Sequence, residues 1–293
     1  MTNITQTDKD YARIYKRRKV TTAIGHSLVY LIAILVAISV IVPLLWIVFT
    51  AFKSLPETYV WPPTILPKEW RLDNIPQLFV KVPEFGRFFL NSVMVTLPLV
   101  ILNIFFCSLA GYIFAKFNFR FKNALFILVL ATIMIPFQVT MIPAYKIITV
   151  LQWNDSYLGL IIPGMVGAFG VFLMRQFMMS IPTELIEAAR IDGASEFRIY
   201  WQLIVPSSKP AFAALAIFTF MEAWNAFLWP LIVIDTPTMR TLPLGLALLK
   251  TQFVAQWPLI MMATLLTSLP VVIIYIIFQR QFVRGILLSG LKQ

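Results

Sequence analysis

Two groups of residues carry side chains that could do chemistry. The first is Glu187-Ala188-Ala189-Arg190, followed at once by Asp192 and Gly193. The second is Glu222 with Trp224 and Asn225 beside it, inside a long apolar stretch. A carboxylate and an amide bind hydroxyl groups, and an indole face stacks on a sugar ring. The same polar groups also serve as hydrogen-bonded glue between helices. Catalysis is a poor fit to either group. His26 is the only histidine and Cys107 the only cysteine, so a multi-histidine or thiolate metal site, a disulfide framework and a Ser/His/Asp set are all unexpected. No phosphate-binding GxxxxGK[ST] loop occurs, and no glycine is followed by lysine. The expectation is a chain with no catalytic residues, no metal and no cofactor.

The segment 178–209 reads as two short helices meeting at a glycine. Pro182 suits a first helical turn, and Glu184 and Glu187 sit near the positive end of the helix dipole. Gly193 suits the stop, because it tolerates the left-handed backbone that closes a helix. Ser195 is placed to cap a second helix that Pro206 ends. Ser207 and Ser208 are then placed to cap the next apolar stretch, with Pro210 in its first turn. Spacings of three and four put Leu185, Ala188, Ala189 and Asp192 on one face. The two alanines leave that face shallow enough for another backbone to approach. A surface helix packed on its own chain has the same pattern, so the face has two readings at this point.

Lipid is the solvent these elements are built for. Residues of the AVILMFWYC set make up 59% of 293 positions, charged residues 13%, and the mean hydropathy is +0.83. A globular domain is about one quarter charged. Six stretches reach the roughly 20 apolar residues that cross a bilayer core, near 26–50, 89–114, 124–144, 157–177, 210–234 and 259–279. The first is too long for a signal-peptide core and reads as a retained anchor. The net charge of +11 sits between apolar blocks, as it does in a membrane protein rather than a nucleic-acid binder. With both termini in the cytoplasm, 16 of the 24 Lys and Arg fall on the inside and 8 on the outside. The chain then divides into a basic cytoplasmic tail (1–25), a first span (26–50), an outside loop (51–88), a five-helix core (89–282) and a short cytoplasmic tail (283–293). The outside loop, with Trp61, Trp70 and six prolines, reads as a small folded flap at the membrane surface. Asn91 and Asn103 read as helix glue, Pro230 as a kink in the fifth span, and Met261 and Met262 as packing or lipid surface.

Glu187-Ala188-Ala189, three residues, Gly193, nine residues and Leu203-Ile204-Val205-Pro206 resemble the "EAA" signature of binding-protein-dependent ABC importer permeases. The usual ending is Ile-x-Leu-Pro, and Leu203 and Val205 are aliphatic replacements there. Phe52-Lys53-Ser54, Asn91-Ser92, Arg175-Gln176-Phe177, Trp224-Asn225 with Trp229-Pro230, and Gln279-Arg280-Gln-Phe-Val-Arg284-Gly285 extend the likeness over nearly the whole chain, to the maltose and multiple-sugar branch. The resemblance implies an all-α polytopic fold of six transmembrane helices, the type-1 ABC importer permease, in a prokaryotic cell membrane. It implies that Glu187, Ala188, Ala189, Arg190, Asp192 and Gly193 form a coupling helix seated on a separate cytosolic ATPase dimer. Ala188 and Ala189 would supply fit, while Glu187 and Asp192 pair with Arg190 or with the ATPase. It implies a second, related permease subunit forming a heterodimer, and a solute-binding protein outside that meets the loop 235–258. Glu222, Trp224 and Asn225 would then border the path of a sugar or oligosaccharide.

Three other readings compete. A stand-alone secondary carrier needs inverted repeats or several buried ionisable groups, whereas Glu222 is the only acidic residue in any expected span. A membrane enzyme lacks its constellation. The same importer could carry glycerol phosphate or another polyol, because the signature reads the ATPase and not the solute.

Overall fold

A computed structural model describes the backbone of residues 4–290 and the side chains of 25–279. All described regular structure is helical. Three helices are long and apolar enough to cross a membrane unbroken. They are the Gly25–Ala51 part of α1 (Ile4–Ala51), α3 (Phe85–Lys116) and the Trp257–Gln279 part of α14 (Trp257–Gly290). The side chains of the basic cluster Lys16–Lys19 and of the closing motif from Arg280 onward lie outside the described residues.

The other three expected spans are each broken into more than one helix. The third is α4 (Lys122–Ile133) followed by α5 (Phe137–Val150), turned through 101°. Pro136 explains the break, since its ring strikes the carbonyl four residues back and pushes Ile135 out of helical geometry. The fourth is α6 (Tyr157–Ile161), a short 3-10 turn and α7 (Ala168–Met179), bent by 41° at Met165–Gly167. The fifth, expected over 210–234 with a kink at Pro230, is α11 (Lys209–Trp224) and a short α12 (Leu228–Val233). Pro230 does not kink it beyond the break; the chain leaves helical geometry at Asn225–Phe227, one turn earlier, where the proline ring meets the carbonyl of residue 226. Between α1 and α3 lies α2 (Asn74–Lys81), and between α12 and α14 lies α13 (Leu242–Gln252).

The helix α3 runs through all three apolar clusters. Phe85 and Phe88 join Leu78, Trp224, Leu242 and Met262 at one end. Val95 and Leu99 meet Leu160, Val233 and Leu244 in the middle. Cys107 and Tyr112 join Met174, Met178, Ile199 and Ile204 at the other end. Glycines bring α3 and α7 unusually close. A Cβ on Gly111 would lie 2.6 Å from the Met174 Cβ, and one on Gly170 would lie 2.7 Å from the Cys107 sulfur. Small residues at a helix crossing are what membrane helices use in place of hydrophobic drive.

The loop 51–88 is a folded cap. The Lys53 side chain is buried over the Trp46 ring and donates to the Thr64 carbonyl. Glu57 accepts from the Thr64 hydroxyl at 3.0 Å and the Lys68 amide at 2.9 Å. Asn74 ties the cap to the end of α1 by donating to the carbonyls of Ala51 and Lys53. Asn91 and Asn103 both bond between elements. Asn91 donates to the carbonyls of Thr238 and Arg240 and accepts from the Tyr157 hydroxyl. Asn103 donates to the Gly164 carbonyl at 3.3 Å and accepts from the Thr219 hydroxyl at 3.2 Å.

Candidate functional site

The EAA segment forms α8 (Thr183–Ile191), and Pro182 stands one position before it, at the cap. Its end is a Schellman closure built residue by residue. Gly193 has φ +81° and donates to the Arg190 carbonyl at 3.0 Å, while Ala194 donates to the Ala189 carbonyl at 2.9 Å. Ser195 then caps α9 (Glu196–Ile199), accepting from the Arg198 amide at 3.3 Å. Two local expectations are corrected. Pro206 does not end this helix. The chain widens to a π turn over Tyr200–Ile204 and continues as α10 (Val205–Ser207) before a 79° bend into α11. Pro206 has no N–H to give to the Gln202 carbonyl, and the wider i→i+5 register begins where that bond is lost. Ser208 occupies the cap position of α11 but makes no side-chain cap; its hydroxyl is buried without a partner.

On α8, Glu187, Ala188 and Asp192 are exposed, as are the large apolar side chains Leu185 and Ile191. Ala189 differs from its expected companions, because it leans against the cluster around Met174 and Ile186. Arg190 is not paired with Glu187 or Asp192. Its Nε donates to Glu196 at 2.6 Å, and its guanidinium lies 5.8 Å from the Phe117 ring centre. That hydrogen bond, more than any other influence, holds the Glu196 carboxyl below the usual carboxylate range. Glu187 and Asp192 make no ion pair or hydrogen bond by their side chains among the described residues. The result is a small exposed face with two free carboxylates, an alanine floor and apolar edges, clamped from behind.

The clamp was missed in the sequence. Glu196 also accepts from the Tyr112 hydroxyl at 3.1 Å. Ser108 and Tyr200 share a buried hydroxyl–hydroxyl bond of 2.6 Å. Lys116 donates to the Ile181 carbonyl. The signal available in the sequence was the spacing of Ser108, Tyr112 and Lys116, four apart on one face of an otherwise apolar helix.

The second group is split. Glu222 and Asn225 are exposed at the last turn of α11, and Asn225 folds its amide onto the Met221 carbonyl at 2.8 Å. Glu222 has no hydrogen-bonding or ionic partner among the described residues. Trp224 points the other way, into the core. Its indole N–H donates to the Thr267 carbonyl at 3.1 Å, and its ring stacks on Phe220 at 5.5 Å with the edge of Phe89 against it. An indole in an apolar interior needs an acceptor for its N–H, and the Thr267 carbonyl on α14 supplies one. The break after α11 meets the break before α5, where Phe137 packs on Trp229 at 6.1 Å between ring centres.

Broken helices within spans are a recurring feature of transport proteins, where the irregular backbone is buried in protein or lines a cavity. The family comparison agrees. Residues 107–288 match the model of the binding-protein-dependent transport system inner membrane component, and the chain belongs to that family. It is a membrane transport subunit and not an enzyme. It is 35% identical over 263 residues to the arabinooligosaccharides transport system permease protein AraQ of Halalkalibacterium halodurans, covering 88% of this chain and 93% of that one. It is 36% identical over 261 residues to the sn-glycerol-3-phosphate transport system permease protein UgpE of Escherichia coli K12, covering 86% and 93%. Among solved structures it superposes on a chain of a bacterial ABC transporter involved in the import of the acidic polysaccharide alginate, with TM-score 0.80 and 21% identity over 89% of this chain and 98% of that one. A second alginate transporter structure, in complex with its alginate pentasaccharide-bound periplasmic protein, superposes with TM-score 0.65 at 15% identity, over 92% and 98%. The fold is that of a type-1 ABC importer permease.

Proposed function

We propose that this chain is one half of the pore of a sugar or oligosaccharide importer, paired with a second related permease, and that α8 is where a cytosolic ATPase dimer pushes on it. The observation that carries the reading is the α8 face. Leu185, Ile191 and Ala188 are exposed around the unpaired carboxylates of Glu187 and Asp192, while the rest of the loop is anchored. A surface that spends exposed leucine and isoleucine without pairing its charges is built to be covered. With both termini in the cytoplasm, Glu187, Ala188, Ala189, Arg190, Asp192 and Gly193 all lie on the ATPase side. Arg190 acts from behind, through Glu196. On the path, Glu222 and Asn225 offer hydrogen bonds to hydroxyls, and Trp224 supports them from the core. A solute-binding protein delivers the cargo at the opposite end, near the loop 235–258.

Relatives at similar identity carry names for a sugar polymer and for glycerol phosphate. The unpaired Glu222 carboxylate favours a neutral polyhydroxyl solute over a phosphate dianion, because like charges in a weakly screened path repel. The test is the purified complex with its ATPase and binding protein, scored for stimulation of ATP hydrolysis by maltose, arabino-oligosaccharides and sn-glycerol-3-phosphate. A sugar is expected to stimulate. Stimulation by the phosphate alone overturns the cargo, and hydrolysis indifferent to Gly193→Val or Ala188→Trp overturns the coupling face. Both variants are expected to abolish uptake and solute-stimulated hydrolysis while inserting at the normal level.

A further inference from the structure

We infer that Ser108, Tyr112 and Lys116 on α3 form a three-rung ladder that makes the coupling loop and α3 move as one rigid body, with Tyr112 and Glu196 as its positioning residues. The inference rests on the reading of α8 as the ATPase contact.

The coupling loop cannot hold its own direction. α8, which carries the docking face, is only 9 residues long, and isolated helices shorter than about 12 residues are marginal in water. Something must convert a push on α8 into a displacement of a span. The three rungs sit one turn apart on α3. Ser108 meets Tyr200 at 2.6 Å, Tyr112 meets Glu196 at 3.1 Å, and Lys116 meets the Ile181 carbonyl. Glu196 and Tyr200 are themselves four apart, so α9 lies alongside α3 for a full turn. Lys116 reaches the segment that enters α8, and Arg190 ties the last turn of α8 to the same Glu196. The loop is therefore held before α8, at its end and along α9. None of these bonds uses Glu187, Ala188 or Asp192, so the grip and the docking face are separate.

The chemistry of the grip fits transmission better than simple cohesion. Ser108, Tyr112 and Tyr200 are 0, 3 and 2% exposed, and apolar side chains of similar size would bury there without needing partners. Apolar contacts slide; hydrogen bonds are directional and resist shear and rotation. The other end of the same helix is gripped in the same way. Asn91 holds the Thr238 and Arg240 carbonyls and the Tyr157 hydroxyl, and Ser92 accepts from the Leu242 amide at 2.8 Å. The 32 residues of α3 span about 48 Å at 1.5 Å per residue. A push on the coupling loop thus arrives at the loop 235–258 through one helix gripped at both ends.

The experiment uses the assembled importer with Cys107 replaced by alanine and spin labels at Leu90→Cys and Glu184→Cys. Both label sites are exposed, one at each end of α3. Their separation is recorded in the nucleotide-free and the Mg-ATP/vanadate-trapped complex. The expected result is a single narrow distance distribution that is unchanged on trapping. Glu196→Gln and the milder Tyr112→Phe should each at least double its width in the trapped state, while ATP hydrolysis continues. Distributions in both variants as narrow as in the parent would overturn the inference. An Asp192→Cys cross-link to the ATPase separates the two levels of the argument. Its formation while both variants keep the narrow distribution of the parent removes the ladder alone, and its failure in the parent removes the coupling reading beneath it.

Discussion

Gly193 is where a single atom has the clearest consequence. Its φ of +81° is left-handed, and a Cβ there would meet nothing within 4 Å. The cost of a side chain is therefore one of backbone alone, roughly 1–2 kcal/mol for most residues, and less for asparagine, which visits this region. Gly193→Asn is expected to retain most ATP-driven uptake and Gly193→Val little of it, at equal membrane levels; equal loss in both would place the defect elsewhere. The Arg190–Glu196 pair is half exposed, so its attraction is worth at most about 1 kcal/mol and its use lies in direction. Because the Glu196 carboxyl is held below its ordinary range, its stabilising contribution is fully present above the unfolded value of about 4.3 and is lost only as the pH falls through the lower folded value. The difference in thermal midpoint between the parent and Glu196→Gln should accordingly be constant from about pH 6 to 8 and shrink below about pH 4. A difference that changes steadily near neutrality would assign the titration to another group.

The crossing of α3 and α7 sets the geometry to which both short helices of the loop are attached. Gly111→Ala would place a Cβ 2.9 Å from the Arg175 amide nitrogen, a backbone atom that has no rotamer to escape into. Overpacking of this kind costs typically 1–3 kcal/mol. Gly170→Ala presses on the Cys107 side chain instead, which has more freedom to turn. Thermal unfolding in detergent should rank Gly111→Ala below Gly170→Ala, and both below the parent. Neither glycine stood out in the sequence, because a close approach is a property of two segments distant in the chain, Gly111 meeting Met174 and Gly170 meeting Cys107. What the sequence did show were the local devices. The stop at Gly193, the cap at Ser195 and the separate short helices around them all follow from residues within one turn of each other. A bend near Pro230 was legible in kind but not in place or degree, since a proline disfavours a helix without fixing where or how far the chain turns, and the break at Pro136 was passed over within an apolar stretch of the right length. The Arg190–Glu196 bond and the burial of Trp224 needed the third dimension, because each depends on which partner the fold brings nearest.

Over the whole molecule, the two specialised ends are separated by the length of α3. The cap over 51–88 leads directly into the start of that helix, and the coupling loop is gripped by Ser108, Tyr112 and Lys116 at its finish. One end is a cap with Lys53 and Glu57 buried in their own hydrogen bonds; the other is a face with its carboxylates left open. A rod of this length exceeds the roughly 30 Å of a hydrocarbon core, so the ends emerge on opposite sides of the membrane. The charge asymmetry assigns the sides, since the segments on the coupling-loop side carry 16 of the 24 Lys and Arg. Single cysteines at Trp61 and Ile191, both among the most exposed apolar positions at 88 and 86%, convert this into a measurement. In intact cells with the outer barrier opened, Trp61→Cys should react with a membrane-impermeant maleimide, and Ile191→Cys only after the cytoplasmic membrane is lysed. Adding the ATPase subunits to lysed membranes should then protect Ile191→Cys and leave Trp61→Cys unchanged, because the face around Ile191 is open for a partner while the cap end has no part in that contact. Reaction of Ile191→Cys in unlysed cells would put the coupling face on the wrong side for any cytosolic motor, and the mechanism would fail with it.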